Sequence, residues 1–265
     1  MKGKIYIVGL PIGNLKDITL RAIEVLQNVN MIFCEDSREF IKIAKTYEIN
    51  TKTESFYDFN EREKTTKIIN LITQGVDIAV VSDRGMPSIS DPGFYLIREL
   101  YKSFPLEIKD ILVIIPGVSS ITTVITACPF EKNFTFLGFF NEKHIDKYKD
   151  YSTSLIFFES PNRINKSLKI LYELFGKRKI FIAKEMTKTY EEFILGELGT
   201  INIVDPKGEF VIVLDAQHKE NIVNPVILKR ILDLKINISN NDLSKILSVI
   251  FDYSKTEIYN LLNEN

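Results

Sequence analysis

The residues best suited to chemistry lie in a loop rich in glycine, proline, serine and aspartate. This loop spans residues 82–93 and follows the apolar run at residues 78–81. A strand that leads into such a loop brings backbone and small polar side chains close to a ligand, which in parallel sheets sits at the carboxyl ends of the strands. The alternative is an ordinary turn, in which Asp91 caps a helix and Pro92 takes its first position.

Two more loops follow apolar runs in the same way. Residues 9–14 read Gly-Leu-Pro-Ile-Gly-Asn and residues 116–120 read Pro-Gly-Val-Ser-Ser. The first loop lacks the G-x-G-x-x-G spacing of dinucleotide-binding proteins, although Glu35 and Asp36 lie where their ribose-binding acid would be, and no P-loop lysine is present. The three loops together predict a ligand site at one edge of one sheet, for a ligand that needs no phosphate cradle.

The elements that must position these loops are short, continuously apolar strands alternating with helical patterns. Continuous hydrophobicity is typical of strands covered on both faces, so residues 1–127 are predicted to form a parallel α/β domain. Residues 130–218 contain further strand patterns and one strong helix at 161–175, which predicts a second α/β domain with a mixed sheet. The tail, residues 221–265, has helical patterns only, with two apolar stripes: Leu228, Ile231, Leu232 and Leu234, then Leu243, Ile246, Leu247 and Ile250.

Composition excludes several classes of protein. The 265 residues carry a net charge of −1, which is not the footprint of a protein that wraps nucleic acid electrostatically. With two cysteines and two histidines, all far apart, neither a metal site nor a Ser/His/Asp hydrolase is expected. No window approaches the roughly 18 apolar residues of a membrane span, so a cytoplasmic protein with no membrane contact is expected.

Charged residues follow two strand patterns of the second half. Residues 159–163 read Glu-Ser-Pro-Asn-Arg, and residues 184–188 read Lys-Glu-Met-Thr-Lys. Ser160 and Pro161 suit the start of a helix, which is the simpler explanation of the first segment. The functional explanation places Glu159 and Arg163 at a domain interface where a substrate could sit.

At this point the sequence resembles a known family. The motifs are Pro-Ile-Gly-Asn-Leu at 11–15, Glu-Asp-Ser-Arg at 35–38, Ile-Ser-Asp-Pro-Gly at 89–93, Glu-Ser-Pro at 159–161 and Lys-Gly-Glu-Phe at 207–210. They resemble the tetrapyrrole-methylase superfamily of S-adenosylmethionine-dependent methyltransferases, over residues 4 to about 215. Within it they are similar to the enzymes that methylate the 2′-hydroxyl of a cytidine in small-subunit ribosomal RNA.

The resemblance implies two α/β domains with S-adenosylmethionine between them, a helical appendage and a homodimer. It also implies ribosomal RNA, or the small ribosomal subunit, as the substrate. The cofactor contacts that it implies come from the three loops and from one strand of the second domain: Leu10, Pro11, Gly13, Asp83, Gly85, Met86, Ser119, Ser120 and Phe157.

Catalysis is assigned as a hypothesis, since no histidine is placed for it. Glu159 or Glu185 is expected to accept or orient the proton of the ribose hydroxyl, while Arg163 and Lys184 hold phosphate or alkoxide. The substrate contacts are expected to be Arg38, Arg84, Asn162 and Lys184. Arg84 departs from the family pattern, which has a smaller or differently polar residue at this position. A cation there would repel the positively charged sulfonium of the donor unless the Arg84 side chain points toward the RNA. The alternative for Glu159 and Arg163 is a brace at the domain interface.

Three other functions remain open on sequence alone. Another methyltransferase of the superfamily, with a tetrapyrrole or protein substrate, would share the cofactor pocket. A nicotinamide-dependent oxidoreductase would explain the first loop, although Pro11 argues against it. A non-catalytic RNA-binding or assembly factor would explain the departures in the donor loop.

Overall fold

The computed structural model describes residues 1–216, 238–251 and 254–263. The chain divides into two compact units, Met1–Ala216 and Gln217–Asn265. Both predicted α/β halves lie in the first unit. Their division at residues 127–130 into separate domains stays a prediction.

The first sheet is parallel throughout, with strand order β3-β2-β4-β1-β5. Apolar side chains cover both of its faces, because helices pack on each side. The parallel α/β fold is therefore confirmed. Its strands are β1 Ile5–Val8, β2 Met31–Cys34, β3 Thr53–Ser55, β4 Ile78–Val81 and β5 Leu112–Ile115; its helices are α1 Leu20–Asn28, α2 Ser37–Thr46, α3 Glu61–Thr73, α4 Phe94–Ser103, α5 Ile108–Ile111 and α6 Ser120–Ala127.

The second sheet is mixed, with strand order β6-β7-β10-β8-β9. Only the β6–β7 pair is parallel, and the other three pairs are antiparallel. The predicted mixed sheet is confirmed. Its strands are β6 Phe134–Phe139, β7 Ser154–Glu159, β8 Lys179–Lys184, β9 Glu192–Glu197 and β10 Phe210–Leu214, and its helix is α7 Ile164–Phe175.

An apolar cluster joins the two halves. It combines Ile12 of the first loop and Val124 of α6 with the inner face of the second sheet, including Ile156, Phe181 and Val211. The opposite face of that sheet packs against α7 in a separate core. This shared core holds the loops of one half against the strands of the other, and so sets the geometry of the site.

The starts of α4 and α7 differ from the sequence prediction. Helix α4 begins at Phe94, and its first N–H groups, those of Gly93 and Tyr95, donate to the Glu61 carboxylate of α3 at 2.8 and 3.1 Å. Asp91 therefore does not cap it. Helix α7 begins at Ile164 without a side-chain cap, so Ser160 does not cap it either. Both residues remain in the loops that precede the helices.

In the second unit, the structure describes two helices, Asn240–Phe251 and Lys255–Asn263. Leu243 and Leu247 of the predicted stripe are buried, as are Ile258 and Leu262 on the last helix, whereas Ile246 is exposed. The stripe formed by Leu228, Ile231, Leu232 and Leu234 lies outside the described residues. No helix in the described part of the chain is long and apolar enough to cross a membrane.

Candidate functional site

A cavity of about 480 Å³ lies where the loops of the first sheet meet the second sheet. Its volume is within the range of small-molecule sites. The lining comes from both halves of the first unit: Ile12, Glu35, Glu39, Asp83, Arg84, Gly85, Met86, Ile89, Ser90, Asp91, Ser119, Ser120, Ile121, Phe139, Phe158, Glu159, Ser160, Pro161, Met186, Gly208, Glu209, Phe210 and Val211.

The three loops predicted from the sequence converge at this cavity. The backbones of Leu10 and Gly85 exchange two hydrogen bonds of 2.8 and 3.1 Å, which tie the loop after β1 to the loop after β4. The loop after β5 is just as close, because a Cβ atom on Gly117 would lie 2.9 Å from the Gly9 backbone. Glycine at both positions lets the backbones of the two loops touch, and any side chain there would push the loops apart.

Five of the predicted cofactor residues line the cavity: Asp83, Gly85, Met86, Ser119 and Ser120. The first loop reaches it through Ile12 instead, a residue that the prediction passed over. Leu10 and Pro11 are buried beneath the wall. A Cβ on Gly13 would lie 2.7 Å from Thr187 Oγ1, so Gly13 serves the contact between the two halves.

Strand alternation places Phe158, and not Phe157, in the cavity wall. Phe157 is 0% exposed and packs in the core on the α7 side, with its ring 5.7 Å from that of Phe140. Successive residues of a strand point to opposite faces, so the next residue, Phe158, faces the first half of the unit. The aromatic wall predicted at Phe157 is corrected by one residue.

Carboxylates dominate the polar lining, and Glu35 is the most perturbed of them. Burial raises its pKa to about 7; the Asp83 N–H that donates to it opposes this shift, while the charges of Asp91, Asp83 and Asp58 add to it. Burial also raises the pKa values of Asp83 and Asp91. The sequence prediction left Glu35 and Asp91 out of the site, although Glu35 directly follows β2 at the loop edge of the sheet.

The Glu159 carboxylate is engaged within its own half of the unit. The residue is only 3% exposed. One carboxylate oxygen accepts from the Ser160 N–H at 2.7 Å and from the Arg163 guanidinium at 2.8 and 3.0 Å, and the other accepts from the Ser167 hydroxyl. With both oxygens engaged, Glu159 holds the turn between β7 and α7 in place. Arg163 is anchored beside the cavity with its side chain half exposed.

Glu185 and Lys184 do not line the cavity. The Glu185 carboxylate accepts from Lys188 Nζ at 2.7 Å and from the Glu209 N–H at 2.9 Å, so it supports the loop before β10. The Nζ atom of Lys184 lies 3.4 Å from Oε2 of Glu192 on the edge strand β9. Neither residue is brought to the converging loops.

Arg84 lines the cavity but is already neutralised. Its guanidinium forms an ion pair with Glu209, which belongs to the other half and also pairs with Lys188 at 3.0 Å. The guanidinium therefore bridges the two halves along the wall and leaves the cavity open. Its positive charge is offset, which removes the expected conflict with a cationic ligand.

The remaining predicted substrate contacts lie on the surface. Arg38 forms a bidentate ion pair with Asp36, and this pair lowers the pKa of Asp36 to about 2. Its side chain is 88% exposed and does not line the cavity. Asn162 is exposed in the turn before α7.

Comparison with known proteins agrees with this arrangement. The family Tetrapyrrole (Corrin/Porphyrin) Methylases matches residues 4–202. The chain belongs to the tetrapyrrole methylase family. Ribosomal RNA small subunit methyltransferase I of Mycoplasmopsis pulmonis is 42% identical over 215 residues, which cover 78% of this chain and 93% of that protein. The protein of the same name from Bacillus subtilis is 36% identical over 231 residues, 83% of this chain and 77% of its own.

A solved structure shows the same fold as this tetrapyrrole methylase. Uroporphyrin-III C-methyltransferase from Thermus thermophilus, complexed with S-adenosylhomocysteine, superposes with a TM-score of 0.56 at 14% identity. The match covers 80% of this chain and 97% of that one.

The lining of this methylase cavity suits a ligand that is partly apolar and positively charged. Ile12, Met86, Phe158 and Met186 supply apolar surface, and the carboxylates supply negative charge. Within the described part of the chain, the Ser90 hydroxyl is buried without a hydrogen-bond partner, so the wall also holds a polar group with unused capacity. No three metal-ligating side chains are grouped among the described residues.

Proposed function

We propose that this protein transfers a methyl group from S-adenosylmethionine to the 2′-hydroxyl of a cytidine in small-subunit ribosomal RNA. The cavity carries the proposal: three glycine-containing loops, an apolar wall and several carboxylates form a site for a cationic nucleoside. The names of the relatives at 42% and 36% identity support ribosomal RNA as the substrate.

Ile12, Asp83, Gly85, Met86, Ser119, Ser120 and Phe158 are proposed to hold the donor, since they form the walls of the cavity. S-adenosylmethionine supplies an electrophilic methyl group on a positively charged sulfur when bound. The contribution of the protein is to orient the two reactants and exclude water. Carboxylates of the lining attract the cationic donor more than its neutral thioether product, which favours exchange after transfer.

Arg163 is proposed to contact the RNA. Glu159 holds its Nε and Nη2 atoms beside the cavity, and its side chain is 53% exposed, so its remaining N–H groups are free to donate to an RNA phosphate. Glu159 is proposed as the positioning residue for Arg163, because both of its oxygens are engaged. For Glu185 and Lys184, the contacts outside the cavity favour a supporting role.

Two measurements test the proposed reaction. S-adenosylmethionine should bind to the purified protein in calorimetry, and a folded sample that fails to bind it would leave only a nicotinamide enzyme or a non-catalytic factor. Small ribosomal subunits from cells that lack the protein should accept a methyl group on one cytidine sugar, located by mapping. Binding without transfer to these particles would point to another substrate of the superfamily.

An Arg163→Ala variant tests the RNA contact separately. We expect methylation of the particles to fall at least tenfold while the affinity for S-adenosylmethionine changes less than twofold, since a lost charge-assisted hydrogen bond is worth roughly 1.5–3 kcal/mol. Equal losses of methylation and donor affinity would contradict the assignment.

The protein is further proposed to act in the cytoplasm as a homodimer. Strand β5 is the last strand of its sheet, and the apolar side chain of Ile114 on it is 48% exposed. Leu20, at the start of α1, is 85% exposed. A second copy covering this side would bury both, and light scattering should then give twice the mass of the chain.

A further inference from the structure

A second, smaller cavity adjoins the first. It measures about 190 Å³ and lies between the end of β6, the loop that follows and a short 3-10 helix, Asp146–Tyr148. Phe139, at the end of the edge strand β6, lines both cavities, so the two meet at this edge of the second sheet. The lining residues are Leu137, Phe139, Phe140, Asn141, His144, Ile145, Lys147, Tyr148 and Phe157.

The two cavities differ in charge. Of the described residues lining the first, six are carboxylates and one, Arg84, is a cation. Arg84 is paired with Glu209, and Glu39 and Glu159 also have ion-pair partners, which leaves three carboxylates without one among the described residues: Glu35, Asp83 and Asp91. The lining of the second contains no carboxylate among the described residues, and it includes Lys147 and His144. A phosphate is therefore repelled from the first cavity, whereas in the second it meets Lys147. In the surrounding segment Lys143, Lys147 and Lys149 alternate with Glu142, Asp146 and Asp150, and Glu142 is paired with Lys166.

The second cavity also offers aromatic surface to a planar group. Phe139 is 55% exposed, and its ring packs edge-on against Phe158 of the first cavity at 5.5 Å. Tyr148 is partly exposed, with Lys147 Nζ 5.2 Å from its ring. Lys143 and Lys149 are exposed nearby and form no ion pair within the described residues. Aromatic rings beside lysines are how proteins bind single-stranded nucleic acid.

Resting on the proposed RNA substrate, we propose that the second cavity binds the nucleotide adjacent to the methylated one. The base of that nucleotide packs against Phe139 and Tyr148, and its phosphate lies near Lys147. The target ribose alone enters the acidic first cavity, and the chain of phosphates stays outside it. The division of charge between the two cavities thus selects a splayed single strand over a duplex.

The experiment uses the full chain, S-adenosylmethionine and small ribosomal subunits lacking the methyl group. Lys147→Glu and Tyr148→Leu are compared with Lys109→Glu. This control makes the same charge change at an exposed site just before β5, which is an edge strand of the first sheet and contributes no residue to the second cavity. We expect Lys147→Glu and Tyr148→Leu each to raise the KM for the particles roughly tenfold, as for loss of a phosphate or stacking contact. The Kd for S-adenosylmethionine should stay within twofold of wild type.

The outcomes separate this inference from the reaction itself. If wild-type protein does not methylate the particles, the proposed function fails. If it does, and both variants have the KM of Lys109→Glu, the second cavity does not bind RNA. Lys147 is exposed, so its variant tests the inference even if Tyr148→Leu lowers stability. A rise in KM for Lys147→Glu alone would support the inference if the slope of log KM against log salt concentration is also smaller by about one than in the wild type.

Discussion

The acidic residues that line the cavity differ in how many hydrogen bonds their carboxylates accept from the rest of the protein. Glu159 uses both oxygens within the β7–α7 turn. Among the described residues, the Glu35 carboxylate accepts one hydrogen bond, a long one of 3.3 Å from the Asp83 N–H. Residue type alone ranks these two glutamates equally. Their surroundings give them different roles.

Glu159→Gln should reduce stability more than catalysis. The amide cannot accept from Arg163, Ser160 and Ser167 together, so we expect a loss of about 1–3 kcal/mol, seen as a melting temperature lower by roughly 3–10 °C. Below that temperature the methylation rate should fall less than tenfold, whereas loss of a general base costs about 10²–10⁴. Ser167→Ala, which removes one partner only, should lower the melting temperature in the same direction. A hundredfold rate loss at unchanged melting temperature would make Glu159 the base.

Glu35 should make both stability and donor binding depend on pH. Its pKa rises from the ordinary 4.5 to about 7 on folding, so the folded state holds this proton more tightly. Its stabilising contribution is therefore present at acidic pH and is lost as the pH rises through about 7. We expect Glu35→Gln to raise the melting temperature by a few degrees at pH 8 and to change it little at pH 5.

Donor binding has the opposite pH dependence. A cationic donor favours the ionised carboxylate, so the affinity of wild-type protein for S-adenosylmethionine should increase between pH 6 and pH 8. In Glu35→Gln this increase should shrink. Parallel pH curves for the two proteins, in calorimetry and in thermal melts, would show that Glu35 does not titrate in this range.

At the scale of elements, strand β7 serves two environments through alternate residues. Phe157 fills the core against α7, and Phe158 faces the first half of the unit. A shift of one residue along the strand therefore separates a ring packed in the core from a ring that lines the cavity.

Substitutions at these neighbouring phenylalanines should have contrasting effects. Phe157→Ala should cost about 3–5 kcal/mol of stability, because it removes a fully buried ring that packs against Phe140. Phe158→Leu keeps apolar volume and should leave the melting temperature nearly unchanged, while weakening S-adenosylmethionine binding roughly two- to tenfold through the lost aromatic contact. Denaturant unfolding and calorimetry on the pair measure both effects. The reverse pattern would return the donor contact to Phe157.

At the scale of the molecule, the site exists because two sheets are held in one unit. Besides the shared apolar cluster, the Asn14 N–H donates to Thr187 Oγ1 at 3.0 Å, and Arg84 pairs with Glu209. The two polar contacts each join residues more than 100 positions apart in the chain.

The hydroxyl of Thr187 should therefore contribute to the stability of the whole unit. Thr187→Ala removes the acceptor of the Asn14 N–H, whereas Thr187→Ser keeps the hydroxyl. We expect the free energy of unfolding of Thr187→Ala to be about 1 kcal/mol lower than that of Thr187→Ser. Both variants lose the branched side chain at a residue with φ of 66°, so their difference isolates the hydrogen bond. Equal stabilities in urea unfolding would mean that solvent replaces this bond without cost.

Local pattern was sufficient to predict most elements and the three loops. Largely apolar runs predicted nine of the ten strands in the described part of the chain, because burial on both faces requires apolar side chains at consecutive positions. Strand β3 escaped prediction since Thr53, Glu54 and Ser55 are polar and lie at the sheet edge. The loops at residues 9–14, 82–93 and 116–120 followed from the carboxyl ends of parallel strands.

The hydrogen-bond and ion-pair partners of the site residues, and the side of the sheet that each side chain faces, depend on contacts between distant parts of the chain. Glu61 caps α4 across 32 residues, Glu209 neutralises Arg84 from the other half, and the register of β7 turns Phe158 inward. No short window of sequence contains these pairings, since hydrogen bonds and ion pairs depend on which distant groups folding brings within about 3 Å. Apolar periodicity is a local property and can be read from the chain, whereas the satisfaction of a buried charge is a property of the assembled fold.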